Sequence, residues 1–231
     1  MLCITGCWLP MSSYIYLSHP LTQETPLYGT EKSLFNVQQV KSLLKGDSCN
    51  KFIFTLGSHY GTHIDFPNHF FDVPQKIVDY PADFWIFNSP YVLHLEVLPN
   101  QILRRSDFPK LPKPCDILLL KTQFQSHRGS SVYSNNNPGI HAEVGQWLRQ
   151  EYPSLRAIGF DFISLSSYQN PEVGRQAHKS FLDPNGDHRS ILIIEDMDLS
   201  CDLSQLKQLW ISPLRMDDID SAPCTILGRC G

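Results

Sequence analysis

The chain has 231 residues, 42% hydrophobic and 18% charged, enough apolar material for one sizeable core and too much for a disordered polymer. Its formal net charge of −4, with no long run of like charge, leaves no basic footprint and argues against nucleic acid as a partner. No stretch approaches the roughly 20 consecutive apolar residues that span a bilayer, which argues against a membrane partner.

Seven cysteines (Cys3, Cys7, Cys49, Cys115, Cys201, Cys224 and Cys230) are odd in number and form no C-x-x-C pair. Neither a disulfide framework nor a thiolate zinc site is expected, and a reducing, cytoplasmic location is. The opening Met1 to Pro10 lacks a basic segment, and its apolar run is too short for an export signal. Residues 1–13 are read as a leader, a candidate for disorder, ahead of one domain over 14–231.

Tyr14-Ile15-Tyr16-Leu17-Ser18 is aromatic and β-branched and predicts a first strand. A polar, proline-containing loop follows to Tyr28. Residues 31–45 fit two patterns. Leu34, Val37, Val40 and Leu44 have helical spacing, whereas Lys45-Gly46-Asp47 followed by Phe52-Ile53-Phe54-Thr55-Leu56 predicts a hairpin.

The densest chemistry comes next. Gly57 to His69 holds three of the nine histidines and a carboxylate: His59, His63, Asp65 and His69. A helix would set His59 and His63 one turn apart, but Gly61 between them and Pro67 beyond oppose it. In an extended segment His59, Gly61, His63 and Asp65 share one face. Both imidazoles must then lean inward or the chain must bend, and Gly61 is where it can bend. Asp65 lies close to His63 and can hold one metal ion or bridge two, while Pro67 leaves His69 beyond the ligand row.

The pattern His59-x-Gly61-Thr62-His63-x-Asp65-x-Pro67-x-His69 resembles the signature of the cyclase-like metal-dependent hydrolases, the family of bacterial kynurenine formamidase and isatin hydrolase. The resemblance implies an α/β fold, a single domain of layered β/β/α, swivelling-type architecture with a mixed sheet. It selects the hairpin for the ambiguous segment before the motif. It also implies a homodimer or higher homo-oligomer. Tyr16 stands where relatives carry an aspartate.

Beyond the motif, Phe70 to Pro74 and the cluster Tyr80, Phe84, Trp85 and Phe87 read as a loop packed over the site, most of these aromatics being core, with Phe66, Phe71 or Trp85 as candidate pocket wall. Val92 to Val97 alternates as a strand on which His94 is an ordinary strand histidine, and Asp116 to Lys121 reads as a strand buried on both faces. Gln123 to Asn137 reads as a polar surface loop. Ile140, Val144, Trp147 and Leu148 fall on one face of a helix introduced by Pro138-Gly139, with His141 in its first turn. Ala157 to Ser164 is a buried strand whose Asp161 needs a partner, as structural glue or as support for a metal site. Asn170-Pro171-Glu172 starts a helix that carries His178, and Ser190 to Ile194 is a strand ending in Glu195. Leu209 to Leu214 and Ala222 to Leu227 are two last strands joined by an acidic turn.

Relatives carry a histidine on that helix and a glutamate at the end of the following strand as further ligands. The resemblance therefore extends the metal set to His59, His63, Asp65, His178 and Glu195, with His188 in the lengthened segment as the competitor of His178. Imidazole and carboxylate suit zinc or manganese, one ion or two. The expected reaction is attack of metal-activated water on a carbonyl of a small-molecule amide, an arylformamide or a cyclic amide, with His69 moving the proton. A lactone or ester hydrolase or a cyclase of the same family is the alternative. Outside that class stand a non-haem iron oxygenase with His63, Asp65 and His178 as its triad, and a non-catalytic metal-binding protein.

Overall fold

The computed structural model describes residues 13–30, 32, 35–186 and 188–231. All of the expected leader but Ser13 lies outside them. Strands in chain order are β1 (Tyr14–Tyr16), β2 (Asn36–Lys41), β3 (Lys51–Thr55), β4 (His63–Asp65), β5 (Ile86–Phe87), β6 (Pro90–His94), β7 (Ile102–Leu103) and β8 (Ile117–Lys121). They continue with β9 (Gly139–Ile140), β10 (Ala157–Phe160), β11 (Leu192–Glu195), β12 (Leu206–Pro213) and β13 (Ser221–Cys230). The helices are α1 (Ser131–Asn135), α2 (Ala142–Glu151) and α3 (Pro171–Leu182).

Nine strands form one mixed sheet in the order β5-β12-β13-β4-β11-β10-β8-β6, with β1 added to β13. Two halves of different character meet in it. The β6, β8, β10 and β11 strands are mutually parallel. Their runs of isoleucine and leucine, buried from Ile117 to Leu120 and from Leu192 to Ile194, are what a parallel sheet covered on both faces requires. The β13, β12, β5 and β1 strands are antiparallel. The motif strand β4 is the seam, antiparallel to β11 on one side and to β13 on the other. A mixed α/β single domain was expected, and this is one.

On the parallel half α2 packs on α3, and α3 on β11. The α3 helix starts with Pro171 in its first turn as predicted, but the Asn170 side chain makes no capping hydrogen bond. Asp161 is structural glue: its carboxylate accepts from the backbone N–H of Thr122 at 3.0 Å and of Gln123 at 2.8 Å, tying β10 to the end of β8. The segment 123–137 is not the plain loop its composition suggests. It contains α1 and buries Tyr133 completely, because that ring packs against Phe124 and its hydroxyl donates to Asp196 at 2.5 Å.

The hairpin expected before the motif is β2–β3, paired Asn36 to Thr55 through Lys41 to Lys51. It carries Val37, Val40, Leu43, Leu44, Phe52, Ile53 and Phe54 exposed, Leu44 at 99%. No helix among the described residues is long and apolar enough to cross a membrane.

Candidate metal centre

The bend at Gly61 builds the centre. Gly61 has φ +64°, the left-handed region that favours glycine, and a Cβ there would also displace the Leu21 side chain, whose Cδ2 would lie 2.5 Å away. The extended segment is thereby shorter than the sequence suggests: only His63–Asp65 is strand, and His59 comes in from the preceding turn. His63 and Asp65 project to one side as alternate residues of β4. His63 Nδ1 donates to the Gly61 carbonyl at 2.8 Å, which leaves Nε2 facing the centre. Pro67 ends the strand and opens a 3-10 turn that finishes at His69.

From the other side come α3 and β11. His178 Nδ1 donates to the Gly174 carbonyl at 3.0 Å, so its Nε2 looks inward, 3.7 Å from Asp65 Oδ2 and 3.5 Å from Glu195 Oε1. Glu195 closes β11 and is fixed by the Leu165 N–H, which donates to its Oε1 at 2.7 Å. His188 is exposed and meets Arg149 only through its backbone carbonyl, so His178 and not its competitor faces the acids. Arg149 also donates to the carbonyls of Ser180, Asp183 and Arg189, which holds the long segment between α3 and β11 against α2.

All five expected ligands thus converge. His59, His63 and Asp65 form one set with ligand atoms within 4.8 Å of one another, and Asp65, His178 and Glu195 form a second that shares Asp65. Yet His63 Nε2 and both carboxylate oxygens of Asp65 are buried without a hydrogen-bond partner. Each such group costs about 1–3 kcal/mol if left unsatisfied. Donors this close that do not pair with one another are what a divalent cation of the imidazole and carboxylate class fits.

The electrostatics are those of a buried acid and base cluster. Burial opposes the charge of Glu195, but the imidazoles of His178 and His63, with Nε2 atoms 3.5 and 3.4 Å from its oxygens, outweigh it and hold the carboxyl well below its ordinary range. Asp65 is lowered likewise, burial being outweighed chiefly by His59. Glu195 raises His63 and His178 against the same penalty. His59, between Asp220 and Asp65, is pushed up to about 10 despite its burial.

The sequence does not single out Asp220 or Asp196, and it places Phe70 only within a loop over the site. Asp220 contacts two imidazoles, with Oδ2 lying 3.0 Å from His59 Nε2 and 2.7 Å from His69 Nδ1. Its only signal was its place as the last acid of the 217–220 turn, against an apolar strand. Asp196 follows Glu195 but belongs to a different pair, accepting from Arg128 Nε and Nη2 at 2.9 and 2.8 Å. Phe70 stacks on His178 with ring centroids 4.9 Å apart. It takes the place proposed for Phe66, Phe71 or Trp85, none of which lines the cavity: Phe66 is fully buried against Tyr80 and Trp85. The cavity measures about 250 Å³ and combines the cluster and His69 with Pro26, Tyr28, Phe70 and Ile163.

The family described as a putative cyclase matches residues 15–167, which include the bend, β4 and His69. The chain belongs to this cyclase family. It is 27% identical over 217 residues to a kynurenine formamidase of Bacillus cereus, covering 92% of this chain and 95% of the relative. Its fold is similar to that of isatin hydrolase A from Labrenzia aggregata bound to benzyl benzoate, with a TM-score of 0.72 at 18% identity over 93% of this chain and 92% of that one. A potential metal-dependent hydrolase with cyclase activity gives a TM-score of 0.71 at 16% identity, over 93% of this chain and 96% of that one. This cyclase-family chain is similar over most of its length to proteins named as hydrolytic enzymes, and its convergent donor set is one that could hold a metal ion.

Proposed function

We propose that the protein hydrolyses the C–N bond of an arylformamide or a cyclic amide. The observation that carries the reading is the set of orphaned, buried donor atoms on His63 and Asp65 with His69 beside them, its ring 4.3 Å from that of His59. His59, His63, Asp65, His178 and Glu195 would hold the ion or ions, with zinc and manganese the metals their chemistry suits. A divalent cation bound there supplies Lewis acidity and lowers the pKa of a bound water to about 7.

The chain's own groups do the rest. His69 engages Asp220 through Nδ1, so Nε2 is the nitrogen available to carry a proton to the leaving nitrogen. Tyr28, Phe70 and Ile163 give the cavity an apolar, partly aromatic wall suited to a flat aryl group. A non-haem iron oxygenase is disfavoured because five donors converge, which over-fills a two-histidine, one-carboxylate site that must keep open positions.

The test is metal analysis of the purified protein, then assay of zinc-loaded, manganese-loaded and chelator-stripped forms against an arylformamide, a cyclic amide and a lactone. Hydrolysis of an amide by a loaded form alone is expected. The His69→Ala variant should bind metal and lose about 100-fold or more in turnover. Cleavage of the lactone only would replace the C–N assignment with the ester class, and hydrolysis by the stripped form would sink the reading.

A further inference from the structure

The geometry points to Asp220 as a positioning residue that sets, through one carboxylate oxygen, which nitrogen His59 turns to the metal centre and which nitrogen His69 turns to the substrate. The inference rests on the hydrolytic reading for His69 and is independent of it for His59.

Asp220 Oδ2 lies 3.0 Å from His59 Nε2 and 2.7 Å from His69 Nδ1. An ionised carboxylate can only accept, so each imidazole must present an N–H to it. His59 is left with Nδ1 for the centre, where Asp65 Oδ1 stands 3.2 Å away without a hydrogen bond. His69 is left with Nε2 for the cavity it lines. The other ligand histidines are oriented differently. Backbone carbonyls of Gly61 and Gly174 take the Nδ1–H of His63 and His178, so those two present Nε2. Asp220 is thus the group that gives His59 the opposite tautomer from its neighbours.

Its own placement is well determined. Asp220 immediately precedes β13, whose Ser221 is opposite Asp65 in the register, so the sheet that places Asp65 places Asp220 as well. Its backbone carbonyl accepts from the Phe66 N–H at 3.1 Å, and Ser58 Oγ donates to Oδ1 at 3.2 Å. The carboxylate is held between the turn that carries His59 and the turn that carries His69. The two rings lie 4.3 Å apart over it.

The test uses the full chain and five variants: Asp220→Asn, Asp220→Ala, His69→Ala, the His69→Ala/Asp220→Asn double variant, and Asp218→Asn as a control in the same turn. Zinc affinity is read by competition with a chromogenic chelator, and kcat and KM are read on an arylformamide at saturating zinc. Asp220→Asn should bind zinc about 10- to 100-fold more weakly. Its kcat should fall about 10-fold or more with KM little changed. In the His69→Ala background the same substitution should still weaken zinc but should lower kcat no further. Asp218→Asn should match the wild type in both. If Asp220→Ala fails to fold, the Asn variant, verified by its thermal melt, decides. Unchanged zinc affinity in Asp220→Asn overturns the assignment for His59. An equal fall of kcat in both backgrounds overturns it for His69. Should the wild type cleave no arylformamide, the hydrolytic reading fails with the His69 arm, and zinc affinity still decides for His59.

Discussion

Glu195 and His63 are direct cross-strand partners: they oppose each other in the antiparallel register of β11 and β4, with Oε2 of one 3.4 Å from Nε2 of the other. Register has period two, so a slip of β4 against β11 by one residue would leave the two side chains on opposite faces of the sheet and dismantle the centre. Replacing Glu195 with Gln keeps an oxygen for the Leu165 N–H, which Oε1 now accepts at 2.7 Å, and removes the charge. The variant is expected to fold and to bind zinc or manganese at least about 10-fold more weakly, as calorimetric titration would read. Undiminished affinity would remove Glu195 from the metal set.

The same cluster fixes how stability depends on pH. His59 is raised from 6.5 to about 10, so in metal-free protein its contribution is complete below about pH 6.5 and is lost as pH climbs toward 10. Asp65, Glu195 and Asp220 are all lowered, so theirs is present above their ordinary range near 4 and is lost as pH falls below it. The melting temperature of metal-free protein should therefore peak between roughly pH 5 and 6.5 and decline on the alkaline side. Metal affinity should do the reverse and rise with pH, because a cation must displace the His59 proton. A melting temperature that is flat from pH 5 to 9 would contradict this account.

Local pattern made β4, β8, β11 and α3 legible, because continuous apolar runs and a proline start are local signals and His63-x-Asp65 carries its own period. The hidden parts all depend on long-range pairing. Asp220 meets residues 151 and 161 positions away, and an acid in a polar turn reads as solvated until β13 is seen beside β4. Phe66 lies inside the motif and Phe70 just beyond it. Only the Pro67–His69 turn reveals that Phe66 points into the core and Phe70 over His178. Tyr133 sits in a polar stretch, and its burial on Asp196 has no local signature.

The hairpin bears on assembly. Its seven exposed large apolar side chains are concentrated in one hairpin rather than scattered singly, the mark of a surface that a partner covers. A homo-oligomer is proposed on that ground. Sedimentation equilibrium should give a multiple of the chain mass, and Phe52→Glu with Phe54→Glu should reduce it to the single-chain value. A wild type that sediments as a monomer at micromolar concentration would end the proposal.

Close packing of α3 is the last requirement. A Cβ on Gly174 would lie 2.0 Å from Ser166 Oγ and 2.6 Å from Ser166 Cα. The hydroxyl can rotate away, but the backbone atom cannot, so Gly174→Ala must push α3 off the 164–166 segment. The overpacking should cost about 1–3 kcal/mol. Because the Gly174 carbonyl accepts the His178 Nδ1–H and Ser166 Oγ lies 3.3 Å from that nitrogen, the shift should also weaken zinc binding. Gly46→Ala supplies the contrast. Gly46 has φ +87° in the hairpin with nothing within 4 Å of an added Cβ, so its replacement strains the backbone without touching the centre. Thermal melts should fall for both variants and zinc affinity for Gly174→Ala alone. If Gly174→Ala binds zinc like the wild type, the position of His178 does not depend on the close approach of α3.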